Sequence, residues 1–114
     1  ALRGGRVAGF LSAFVSPSSR TGHIADLFTD PEDDEACAAL VRACFRTLRE
    51  QGVGSIYCWS PRGDATSAAG RILSRACPLS NGRPLHFAVR VFDPDFKGLP
   101  PSAWHLAMGD FDGV

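Results

Sequence analysis

Two groups of residues have the types and spacing to do chemistry. The first is the acidic run Asp30, Glu32, Asp33, Asp34 and Glu35, with a smaller acidic pair at Asp110 and Asp112. Carboxylates this close can share a divalent cation. A calcium loop, however, also needs a glycine for its sharp turn and a closing bidentate glutamate, and neither cluster supplies both. The second group is four cysteines, Cys37, Cys44, Cys58 and Cys77, with three histidines, His23, His86 and His105. No two cysteines make a C-x-x-C pair, and no histidine lies at a zinc-like spacing from them, so no metal site is predicted. Cys37 and Cys44 share one face of a predicted helix about 10 Å apart, too far for a disulfide. The expectation is four reduced, mostly buried thiols in a cytoplasmic protein.

These residues need elements to position them. Arg6 to Val15 alternates with apolar residues on both faces, which predicts a strand covered on both sides, with Gly9 as a possible bulge site. Thr21 to Thr29 is the next strand, close enough for an antiparallel hairpin. A helix follows to about Gln51, with Asp30 as N-cap, Pro31 as first helical position and Gly52 as the stop. Its apolar residues Ala36, Cys37, Leu40, Val41, Cys44, Phe45 and Leu48 fall on one face, which places Leu40 and Phe45 against the sheet. Val53 to Ser60 is a third strand, Ala65 to Cys77 a second helix, Leu85 to Phe92 a fourth strand and Ala103 to Met108 a fifth. The order β-β-α-β-α-β-β predicts an α/β (α+β) fold with a mixed central sheet and helices packed on it.

The chain has 114 residues and a net charge of zero. That length fits a single domain, 1–114. An apolar fraction of 45% excludes a disordered chain. Twelve basic against twelve acidic residues argue against a nucleic-acid or anionic-membrane surface. The longest mainly apolar run, Val7 to Val15, is too short to span a membrane, which takes about 20 residues.

Several short segments carry a resemblance. They are Gly5-Arg6-Val7-Ala8-Gly9, Ala25-Asp26-Leu27-Phe28, Thr29-Asp30-Pro31-Glu32, Arg71 to Cys77 and Trp104 to Gly113. In this order they resemble the C-terminal two-thirds of the GNAT superfamily of acyl-CoA N-acyltransferases. The resemblance implies acetyl-CoA or another acyl-CoA as co-substrate, lying where two parallel strands splay apart, and an amine of small-molecule or peptide type as acceptor. It implies that Leu27, Phe28 and Thr29 offer backbone groups to the pantetheine arm. It places the pyrophosphate on the first turn of the following helix, at Glu35, Ala36 and Cys37. It makes Asp26 the general base, and it puts Leu73 where the family usually has an acidic tyrosine.

The phosphate loop departs from the family pattern. Asp34 stands at the arginine position, and Glu35 and Cys37 stand at glycine positions. A carboxylate capping this helix would take the donors a pyrophosphate needs. The alternative function is therefore a non-catalytic GNAT-like interaction or regulatory domain that has lost CoA binding. The family begins with further elements that do not precede Ala1. The resemblance thus implies a C-terminal portion of a longer domain, its first strand covered by a second copy or an upstream domain.

Overall fold

The computed structural model describes residues 1–58 and 67–79. Their order is β1 (Leu2–Arg3), β2 (Arg6–Val7), β3 (Gly9–Ser16), β4 (Thr21–Thr29), α1 (Asp34–Glu50), β5 (Ser55–Cys58) and α2 (Ala68–Ala76). The fold is mixed α+β. A mixed sheet runs β3-β4-β5, and β1 and β2 form a separate two-stranded ribbon. The predicted strands Leu85 to Phe92 and Ala103 to Met108, the turn at Pro61 to Asp64 and the Trp104 to Gly113 segment lie outside the described residues.

The predicted first strand is divided. Gly4 and Gly5 both adopt positive φ, 56° and 78°, which a two-residue hairpin of the I′ kind requires. They fold Leu2–Arg3 back on Arg6–Val7, and β3 starts at Gly9. Gly9 is not the bulge. A Cβ there would stand 2.6 Å from the Phe28 carbonyl oxygen and 2.6 Å from Thr29 Cγ2, so glycine is required by close approach. The register shift falls instead between Ser12 and Ala13, where Asp26 and Ile24 are their partners and Ala25 is the extra residue.

The β3–β4 hairpin is antiparallel, and β5 joins β4 in parallel on its other side. Between them, α1 is the crossover. Its N-cap is Asp33, not Asp30: the Asp33 carboxylate accepts from the Ala36 N–H at 3.0 Å. Asp30 instead accepts from the Glu32 N–H and, through its carbonyl, from the Asp33 N–H, which makes a turn around Pro31. A residue before proline is pushed out of the α region, so the helix starts after that turn. At the other end, Gly52 has φ 75° and donates to the Arg49 carbonyl, while Val53 donates to that of Leu48. These two bonds are a Schellman stop, as the sequence predicted.

Both helices pack on one face of the sheet. Ile24 and Leu27 of β4, Cys37 and Val41 of α1, and Ala68 and Leu73 of α2 form the buried cluster. Leu40 approaches β3 at Gly9, as expected. Phe45 packs half-buried against this cluster and also lines a shallow groove with Ile72 and Ala76 of α2. The other sheet face is not sealed. Phe10 is 49% exposed and Phe14 43%, so the expectation of a first strand covered on both sides is not met at these residues.

Candidate functional site

Four of the candidate residues, Asp26 to Thr29, lie on β4. Pairing with β5 runs from Thr21↔Ser55 to Ile24↔Cys58, while β4 itself continues to Thr29. Among the described residues, Ala25 to Thr29 is therefore bounded by β3 alone. The Ala25 bulge follows Ile24, whose partner Cys58 is the last described residue of β5, and α1 begins just past Thr29.

The bulge sets which way side chains point. Asp26 lies across from Ser12 and Phe28 across from Phe10, all on the face away from the helices. His23 lies on the same face, across from Phe14 and beside Tyr57. The rings form two groups. Phe10 and Phe28 stack at 5.8 Å, and His23 lies between Phe14 at 4.9 Å and Tyr57 at 5.6 Å. Asp26 stands between the two groups along β4. His23 Nε2 bonds Thr21 Oγ1 at 3.1 Å, whereas its buried Nδ1 has no hydrogen-bond partner among the described residues.

The remaining predicted site residues are on the helix side or in α1. Leu27 is 5% exposed and belongs to the core. Thr29 is buried, and its side chain is hydrogen-bonded to the Cys37 thiol. Cys37 has no exposed surface, and burial pushes its thiol pKa up, so it stays protonated as a packing residue. Ala36 is buried with its N–H taken by Asp33. Glu35 is exposed and pairs with Arg3 at 3.2 Å. The structure thus brings Thr29 and Cys37 together and puts Asp26 and Phe28 on one face, the opposite face from the helix residues.

The acidic run is neutralised from two sides. Arg3, in β1, reaches Asp33 at 3.0 Å as well as Glu35. Arg71, in α2, grips Asp34 through Nε at 3.1 and 3.3 Å and through Nη2, and the same Nη2 donates to the Pro31 carbonyl. This guanidinium holds the Asp34 carboxyl below its ordinary value. The run is a helix cap with two arginine partners. Among the described residues, no group of three or more metal-ligating side chains is found.

Sequence reasoning weighed His23 only as a zinc ligand and gave Arg3 and Arg71 no role of their own. Only the position of the bulge in β4 tells that His23 and Asp26, an odd number of residues apart, share a face. The roles of Arg3 and Arg71 are set by contacts 30 or more positions away, which no local pattern carries. No family model matches the chain, and no curated protein or solved structure matches it.

Proposed function

We propose that this chain is an acyl-CoA-dependent N-acyltransferase-like domain of the GNAT type, passing an acyl group to an amine. The observation that supports it is the geometry of β4. A parallel β4–α1–β5 unit carries a bulge at Ala25, past which Leu27, Phe28 and Thr29 lead to a helix start. Open α/β units bind ligands where strands part, at their carboxyl ends. Asp26 is the only carboxylate of β4, and it would take the proton of the attacking amine, directly or through one water. Leu73 is buried and has no proton to give, so the departing thiolate would take its proton from water.

A second reading is favoured by the α1 cap. The first turn is filled by the Asp33 carboxylate and surrounded by Asp34 and Glu35, so a pyrophosphate does not fit on it. On this reading the domain keeps the fold and has lost the phosphate site, and it serves interaction or regulation.

Calorimetry with acetyl-CoA decides between the two. It is run on the natural chain and on Asp33→Ser/Glu35→Gln, which removes two charges and keeps a capping hydroxyl. Binding by the natural chain supports the acyltransferase, with the pyrophosphate held away from the α1 cap. Binding by the variant alone supports the domain that has lost its site. Binding by neither removes acyl-CoA from the function.

A further inference from the structure

A shallow groove of about 380 Å³ runs between α1 and α2. Each helix brings the same pattern to it. Val41 and Phe45 of α1, and Ile72 and Ala76 of α2, are apolar pairs one turn apart, and each pair is accompanied by one arginine, Arg42 or Arg75. Residues four apart lie on one side of a helix, so each pair forms a continuous apolar strip. Both arginines are exposed. Among the described residues neither has a carboxylate partner, because the ion pairs of the acidic run go to Arg3 and Arg71. Their own helices offer none either. Three and four positions from Arg42 stand Ala38, Ala39, Phe45 and Arg46, and before Arg75 stand Arg71 and Ile72. The neutral chain therefore hides a division: the acids of α1 sit at its two ends, and Arg42 and Arg46 lie between them.

We propose that this groove docks an acidic amphipathic helix of a partner protein. Charge complementarity selects the partner. Two uncompensated guanidiniums beside an apolar floor are matched by apolar anchors flanked by carboxylates, which accept the arginine N–H groups. α2 has 9 residues, about 14 Å, so the groove takes two to three turns of a partner helix. Anchors on one face of that helix cover Phe45 and Ile72, and Asp or Glu beside them meets Arg42 and Arg75. A small carboxylate fits less well, because small-molecule sites enclose most of the ligand and this groove is shallow. A nucleic acid would satisfy the arginines through its phosphates and leave the apolar floor uncovered. The groove lies on the helix side of the sheet, opposite the face that carries Asp26, and is independent of acyl transfer.

The test is fluorescence anisotropy of the full chain with three labelled, stapled helical peptides of about three turns. The first carries leucines at i, i+4 and i+7 with glutamates beside them. The second has lysines in place of the glutamates, and the third has alanines in place of the leucines. Only the first should bind the natural chain, and added salt should weaken it, a readout that needs no variant to fold. Arg42→Glu/Arg75→Glu should weaken the first peptide about tenfold, the size that two exposed ion pairs allow, and should let the second bind instead. Amide chemical shifts of the natural chain should move most around Phe45 and Ile72. Failure of the first peptide to bind, equal binding of the second or third, shifts centred elsewhere, or displacement of the first peptide by an equimolar thymidine oligonucleotide or by octanoate would each overturn the proposal.

Discussion

Arg71 and Asp34 join the start of one helix to the first turn of the other. The guanidinium binds both carboxylate oxygens and also the Pro31 carbonyl, so one side chain fixes the turn, the cap and the angle between α1 and α2. A planar fork suits this, and lysine would not replace it.

Arg71→Ala should lower the melting temperature, and the deficit should depend on pH. Asp34 is held below its ordinary 3.8 in the folded chain. A lowered carboxyl stabilises fully above the ordinary value and loses that contribution as pH falls through the lowered one. Thermal melts of wild type and Arg71→Ala should therefore differ at neutral pH and converge as pH falls well below 3.8. A difference that persists unchanged in acid would mean that Arg71 acts by packing and not by charge.

The cap assignment is testable by two alanines. Asp33→Ala should cost about 1 kcal/mol, the usual loss for an N-cap, and Asp33→Ser should restore most of it. Asp30→Ala should cost less, since Asp30 holds a turn outside the helix. Denaturant titrations in which Asp30→Ala is the more damaging change would return the cap to Asp30.

Two glycines should behave oppositely. Gly9→Ala meets the Phe28 carbonyl and Thr29 at 2.6 Å and should destabilise by about 1–3 kcal/mol, the range for overpacking. Gly54→Ala meets nothing within 4 Å and should be close to neutral. Equal urea midpoints for the two variants would contradict the close approach of β3 and β4.

Asp26→Asn should reduce acyl transfer about 100-fold while leaving acetyl-CoA affinity unchanged, as expected for a lost general base. Acetylation of a primary-amine panel, followed by thiol release, reads the first quantity, and calorimetry reads the second. Unchanged turnover removes Asp26 from the chemistry.

Where local patterns govern, the sequence was legible. The hairpin, the parallel crossover, the apolar stripe of α1 and the Gly52 stop all follow from periodicity and turn chemistry. The helix start was misread because Asp30-Pro31 and Asp33 both carry capping signals, and only the path of the chain chooses between them. The ribbon at Gly4-Gly5 was hidden because its strands are two residues long. At the candidate site, Asp26 could be named but its surroundings could not. The ring groups around it depend on strand register.

The extra residue at Ala25 works as a change of reading frame within one strand. Before it, even-numbered residues of β4 face the helices, as Gly22 and Ile24 do. After it, odd-numbered residues do, as Leu27 and Thr29 show. β3 has no such shift and keeps a single parity throughout. A regular strand that kept Ala25 without a bulge could satisfy only half of β4 at a time: either Leu27 and Thr29 would be turned outward, or Gly22 and Ile24 would be. The bulge absorbs the single alanine, so one strand buries both halves and shows Asp26 and His23 on the same side.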